Sequence, residues 1–399
     1  MFWVLGCASL LAACTSQPAQ QENTTTTVTT KLDTLKQDST AIPQDTVAVV
    51  QAAAVDSSVH QLACLLAGVP ISDGSPLAQY KTPAWQKYAT QADSNWAKYH
   101  RRQTTRMSNW ATTELAQVRS QTNKIFYPFS GPDFLNVHTF FPDADTIMMI
   151  GLEPLGKLPP LETMSPDSAN RLYPRVEKSL YSVLSFSFFQ TISMAKDLKT
   201  QELNGTMPLI TLFMARHNQM VLSARYIQLD ADGNIQSIET ENAEQGVRGT
   251  EIKYRKPDSD KVQVLYYYSV NLVDFKLKQN KPFLAYLNSA GKVTTYLKSA
   301  SYLLHKSYFG TVAEFITSHS QYVLQDDSGM PLKYFKDEQW DKTFYGTYDK
   351  PIDMFARHYQ ADLRKAYHDS LAAPRKLPFG IGYDWRVNAS NLMLFSKKQ

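Results

Sequence analysis

The chain has 399 residues, 43% hydrophobic, 12% aromatic and 20% charged, a composition that excludes fibrous and wholly unfolded classes. The formal charge of +4 is small for this length. Its tightest basic cluster, His100-Arg101-Arg102 followed by Arg106, is too sparse for the basic stripe of a nucleic-acid binder, so no nucleic-acid partner is expected.

At the amino end, Phe2 to Ala13 is almost wholly apolar and runs into Leu11-Ala12-Ala13-Cys14. A Leu three residues before a Cys, with small residues between, resembles the lipobox of bacterial lipoprotein signal peptides. That resemblance implies cleavage before Cys14 and acylation of its thiol, making the lipid bilayer a partner. The apolar stretch is too short for a permanent span. No Lys or Arg precedes it, which departs from the usual pattern and points to a true start upstream of Met1. Thr15 to about Ser58 is rich in Thr, Gln, Ser and Ala and cannot bury enough apolar surface to order itself. The expected organisation is a signal peptide over 1–13, a lipid-anchored disordered tether over 14–58 and a globular domain over 59–399. The residue after Cys14 is Thr and not Asp, which by resemblance to enterobacterial sorting leans towards the outer membrane. Of three cysteines, Cys7 falls in the signal segment and Cys14 carries lipid. Cys64 remains, in the apolar run Leu62-Ala63-Cys64-Leu65-Leu66, as a buried small hydrophobe without a disulfide.

The first part of the domain, 59–120, reads as helical. From Pro83 to Val118, the apolar residues Trp85, Tyr88, Ala92, Trp96, Tyr99, Met107 and Trp110 recur every three or four positions, as one long amphipathic helix or two in series. This aromatic stripe is expected to be a core face. Next, Phe126-Tyr127-Pro128-Phe129-Ser130-Gly131-Pro132-Asp133 is turn-rich, with Asp133 placed to cap a short helix through Phe140. Thr146 to Leu152 reads as a buried strand ending at Glu153-Pro154. Ser179 to Ala195 is short and hydroxyl-rich, a buried helix and not a span.

Further along, Val221–Leu229 and Ile235–Glu239 flank a hairpin loop, Asp230-Ala231-Asp232-Gly233-Asn234. Glu251–Arg255 and Lys261–Leu272 flank a second turn, so four strands in sequence predict an antiparallel meander. Thr311-x-x-Glu314 reads as a capping box. Ile352, Phe355, Tyr359, Leu363 and Ala366 mark a helix starting at Pro351 with Asp349 near its cap. Helices and antiparallel strands without βαβ regularity, and without a fixed repeat, predict an α+β class.

Three stretches resemble a family of uncharacterised bacterial envelope proteins: Tyr127-Pro-Phe-Ser-Gly-Pro-Asp133 through Glu153-Pro154, Leu265-Tyr-Tyr-Tyr268, and Gln325-Asp-Asp-Ser-Gly-Met-Pro331 through Tyr345-Gly-Thr-Tyr348. The resemblance spans most of the chain after the tether and implies an envelope location, but no activity and no catalytic residue.

Standard chemical motifs are mostly absent. There is no Gly-x-Ser-x-Gly, His-Glu-x-x-His, Walker loop or Gly-x-Gly-x-x-Gly. Ser193-Met194-Ala195-Lys196 matches Ser-x-x-Lys, and Ser269-Val270-Asn271 passes for a second element, but Lys-Thr-Gly is missing and chance explains the match. Asp230 to Asn234 lacks the spacing of a calcium loop, and the eight histidines are dispersed, so neither metal nor cofactor is expected. The remaining candidates are carboxylates beside turns: Asp133, Glu153 and the pair Asp326-Asp327, with His138 or His305 as companions. Two carboxylates of unequal pKa can serve as acid and base in hydrolysis; caps, turns and strand-end charges are the plainer reading of each. Two functions follow. One is a non-enzymatic envelope protein that binds a ligand or supports an assembly. The other is a surface-anchored hydrolase using Asp133, Glu153 and Asp326.

Overall fold

A computed structural model describes residues 57–186, 205–239, 247–369 and 373–398. The signal segment, Cys14 and nearly all of the spacer lie outside these residues. So do Ser193-Met194-Ala195-Lys196 and the latter half of Ser179–Ala195. No helix of the described residues is long and apolar enough to cross a membrane.

The helical start consists of α1 (Ser57–Ala67), α2 (Pro83–Tyr99), α3 (Thr105–Glu114) and α4 (Ala116–Gln121). Helix α2 begins where Thr82 Oγ1 accepts from Trp85 N at 3.2 Å and Pro83 occupies the first turn, since neither that amide nor proline's missing one has a helical partner. A wide π-turn at His100–Thr104 joins α2 to α3. It shifts the helical phase so that Tyr99, Gln103 and Met107 all stay inside. Every residue of the aromatic stripe is buried, so the stripe is core. Cys64 in α1 is buried and free, its thiol pushed up to about 11 by desolvation.

The fold is α+β, built on a mixed sheet. In chain order the strands are β1 (Lys124–Pro128), β2 (Thr146–Gly151), β3 (Met220–Leu229), β4 (Ile235–Ile238) and β5 (Val247–Arg255). They continue as β6 (Gln263–Ser269), β7 (Val293–Leu297), β8 (Ser320–Gln325), β9 (Trp340–Gly346) and β10 (Asn391–Lys397). Their order across the sheet is β4-β3-β5-β6-β2-β1-β7-β8-β10-β9. The five central strands, β6-β2-β1-β7-β8, run parallel, and both flanks are antiparallel.

Strand alternation distributes the core on two faces. Ile125, Tyr127, Ile147, Met149, Leu324 and Leu392 pack under α1–α3, α5 (Phe134–Phe140), α6 (Pro166–Phe186) and α7 (Met207–Arg216). Phe126, Met148, Ile150, Val323 and Met393 pack under α8 (Asp274–Leu277), α9 (Lys281–Ser289), α10 (Gly310–His319) and α11 (Ala361–His368). Parallel strands covered on both faces carry unbroken apolar runs, as Ile147 to Ile150 does.

Three local expectations need correction. The four strands of the expected meander form one antiparallel block, but β5 pairs with β3 and leaves β4 at the edge, because the long strand β3 offers β5 nine residues against the four of β4. Thr311 does not open a capping box: Gly310 N and Thr311 N donate to Asp274 from α8, at 3.2 and 2.9 Å. The helix expected from Pro351 is broken into a 3-10 turn over Asp353–His358 and α11. Asp349 accepts from His368 Nε2 at 2.8 Å instead of capping that turn.

Candidate functional site

From β1 the chain winds outward through β2 to β6, then returns to the other side of β1 with β7 and continues to β8. The order of winding therefore reverses between β1 and β7, and in open sheets such a reversal leaves a crevice at the carboxyl ends of the strands. Here the β1–β7 ladder stops at Phe126 opposite Thr295, two residues before β1 ends. Above that point lies a cleft of about 470 Å³. Its lining comes from the segments after β1 (Phe129 to Asp133), β2 (Gly151 to Glu153), β6 (Val270 to Val273) and β7 (Lys298 to Leu303), with Tyr308, Phe309 and Tyr383 closing one side.

The backbone is unusual at the reversal. Among the described non-glycine residues, positive φ occurs at Asn218 and at Phe129 (61°), Ser299 (52°), Ser301 (55°) and Tyr302 (53°). All but Asn218 follow β1 or β7. Left-handed conformations in bulky residues persist only where the surroundings impose them, and they gather at functional sites.

Asp133 lies at the cleft floor as the cap of α5. Its Oδ1 accepts from Asn136 N at 3.2 Å and Asn136 Nδ2 at 2.8 Å. Its Oδ2 accepts from Tyr127 OH at 2.8 Å and pairs with Lys298 Nζ at 2.8 Å. Both charged side chains are almost fully enclosed, at 1% and 2% exposure. Burial, then the Asp133 charge, holds the Tyr127 phenol well above its ordinary range, so it stays a donor.

Glu153 stands at the end of β2, half-buried, on the cleft wall. Tyr267 OH donates to its Oε2 at 2.9 Å. Oε1 lies over Gly131, 3.4 Å from where a Cβ on that glycine would sit, and has no hydrogen-bond partner among the described residues. A side chain on Gly151 would collide with the Glu153 carboxylate and the Tyr267 hydroxyl, so that glycine gives the carboxylate its place.

Asp326 does not line the cleft. It sits behind it at the end of β8, 2% exposed, and fastens the wall. Ser299 N donates to its Oδ2 at 2.8 Å, and Ser328 N to its Oδ1 at 3.0 Å. Ser328 Oγ in turn accepts from Ala300 N at 2.8 Å. Asp327 accepts from Tyr302 OH and, at 3.1 Å, from Asn391 Nδ2. Burial, then the adjacent Asp326, raises Asp327 to about 7, and burial likewise raises Asp326. Tyr383 OH donates to Ser299 O at 2.8 Å, which fixes the strained turn from its other side. Ser299 Oγ is closed off from solvent, with no partner among the described residues.

The structure thus brings Asp133 and Glu153 to one cleft and sets Asp326 behind its wall. His138 is elsewhere, packed in the core against Phe134 and His217, and burial holds its imidazole well below the usual range. His305 flanks the cleft through Leu303 but turns onto Tyr302 and His358, with ring centroids at 5.1 and 5.3 Å. Asp230 accepts from Asp232 N and Asn234 N and is a hairpin turn; no group of His, Cys, Asp and Glu among the described residues could hold a metal ion. Lys298, Ser299, Tyr267 and Gly151 were not among the expected site residues. Recognition of β7 would have found the first two, because strand-end positions at the reversal point supply such groups. Comparison of the chain with known protein families, with curated proteins and with solved structures finds no match in any of the three.

Proposed function

We propose that this protein is a lipid-anchored component of the bacterial envelope, tied to the outer membrane through acylated Cys14, that binds a small molecule in the strand-end cleft. The cleft carries the ligand-binding half of this reading. Its volume falls in the range of small-molecule sites, it sets polar groups such as Asp133, Glu153 and Lys298 beside apolar ones such as Val270, Leu272 and Phe309, and strained backbone borders it. Leu152 at 70% and Tyr308 at 47% exposure leave apolar surface at the rim.

The hydrolase reading has less support. Paired-carboxylate hydrolysis needs two acids that face a substrate and ionise differently. Asp133 already has every oxygen engaged, and Asp326 is occupied with backbone behind the wall. Glu153 is left alone.

Binding is tested with a neutral fluorescent dye for apolar sites, 1-aminoanthracene, titrated into the full chain and into Val273→Trp, which fills the cleft from its wall. Saturable binding to the wild type that is lost in the variant is the expected result. Equal binding to both would overturn the reading. The anchor has a separate test. Cys14→Ser abolishes lipid labelling and moves the protein from the membrane to the soluble fraction; an unchanged distribution would remove that half of the proposal.

A further inference from the structure

We infer that the cleft takes a nucleoside-type ligand, a vicinal diol joined to a flat apolar ring, neutral or cationic and without phosphate at the turn after β1. This rests on the cleft being a ligand site and names the class of ligand for it.

Position gives the first argument. The parallel block β6-β2-β1-β7-β8 repeats the winding of doubly wound sheets, in which an acidic side chain after the second strand receives a ribose hydroxyl. In this chain the second parallel strand ends at Gly151 and is followed directly by Leu152-Glu153. Tyr267 anchors Oε2 of Glu153 and leaves Oε1 open above a glycine. A carboxylate oriented by one partner, with its other oxygen free, is an acceptor set for two adjacent hydroxyls.

The neighbouring wall gives the second. Val270 N donates to Gly151 O at 2.9 Å, so the segment after β6 stands directly beside the Glu153 turn. It presents Val270, Leu272 and Val273 to the cleft, together with Asn271, whose Oδ1 is turned back to accept from Val273 N at 3.0 Å. An apolar wall next to a hydroxyl acceptor suits a ring attached to a sugar.

Charge gives the third, by exclusion. A phosphate at such a turn needs free amides and a glycine-rich approach. Here Phe134 N is bonded to Pro132 O at 2.8 Å, and Asn136 N to the Asp133 carboxylate. The turn itself reads Phe129-Ser130-Gly131-Pro132-Asp133, with one glycine and a proline that has no amide hydrogen. Of the residues lining the cleft, Lys298 alone is cationic, and it is matched by Asp133 at 2.8 Å. Against one ammonium stand two carboxylates, so an anion meets net repulsion.

The test displaces bound 1-aminoanthracene from the full-length protein with the four common ribonucleosides, their 2′,3′-dideoxy forms and their 5′-monophosphates. At least one ribonucleoside is expected to displace the dye, with its dideoxy and monophosphate forms each about tenfold weaker or more, the scale of a lost hydrogen bond to a charged group. In Glu153→Gln the difference between ribose and dideoxy forms shrinks to about twofold or less. A monophosphate that competes as well as its nucleoside overturns the inference, as does a ribose preference unchanged in Glu153→Gln. Should that variant misfold by circular dichroism, the wild-type comparison of ribose with dideoxy forms still decides. Cleft-specific dye that no ribonucleoside displaces overturns the nucleoside class while leaving the cleft a ligand site. Dye that never binds the cleft overturns both.

Discussion

A carboxylate enclosed with an ammonium loses hydration that only its neighbours can replace. Asp133 has Tyr127, both nitrogens of Asn136 and Lys298 to do so. Removing one member of such a buried pair strands the other charge. Asp133→Ala is therefore expected to cost about 3–5 kcal/mol of stability, read from urea unfolding, and a loss below about 1 kcal/mol would contradict the enclosure. Glu153 differs in every respect that matters. It is half-exposed with a single side-chain tie to Tyr267, so Glu153→Gln should change the same unfolding curve by no more than about 0.5 kcal/mol. Two acids of the same cleft thus separate into one whose oxygens are all engaged by the structure and one with an oxygen left open to the cleft. The cap role of Asp133 was legible from Ser-Gly-Pro-Asp ahead of Phe134, since capping is local chemistry. Lys298 was not, because its pairing is made by the sheet and leaves no mark in the neighbouring sequence.

The turn after β7 is shaped mainly from behind. Asp326 and Ser328 take its amides, and Tyr302 donates to Asp327. Asp327 is raised to about 7 from the usual carboxylate value of 3.8, first by burial and then by Asp326. The folded protein therefore keeps a proton that the unfolded chain gives up. This contribution to stability is fully present below about pH 4 and is lost as the pH rises through about 7. The wild type minus Asp327→Asn difference in unfolding free energy should fall between pH 4 and 7 and level off above; a difference that grows with pH would overturn this. The difference is the quantity to follow, because His138 and His305, both held below their usual range, change stability in the opposite sense as acid is added. At this scale the sequence was partly legible. The hairpin β3–β4 was marked by Asp-Gly-Asn, and β2 by its apolar run. Strand β7, Val-Thr-Thr-Tyr-Leu, was not: all five of its residues are buried, so it has no polar alternation, and Thr294 and Thr295 interrupt any apolar run. Thr294 instead meets Thr122 hydroxyl to hydroxyl at 2.7 Å, and Thr295 meets Ser320 in the same way, which lets both sit inside.

Across the molecule, the α+β class was readable from mixed periodicities, whereas the parallel centre depended on strands that local pattern does not separate from helix. Strand β10 shows how much rests on such a strand. It pairs with β8 on one side and β9 on the other, and Leu392, Met393, Leu394 and Phe395 are all buried. At about 1.5–3 kcal/mol for each side chain, their removal approaches the whole stability of a domain, about 5–15 kcal/mol. A chain truncated after Ser390 should show no cooperative urea transition; a transition near the wild-type midpoint would mean that β8 and β9 hold without it.

Of the described strands, β10 comes last in sequence, yet its place is an interior one, between two that precede it. A ribosome or a translocation channel delivers β8 and β9 first, with a gap between them that no earlier segment fills. That gap acts as a timer: however the chain emerges from its amino end, this part of the sheet closes only once Asn391–Lys397 has followed the rest.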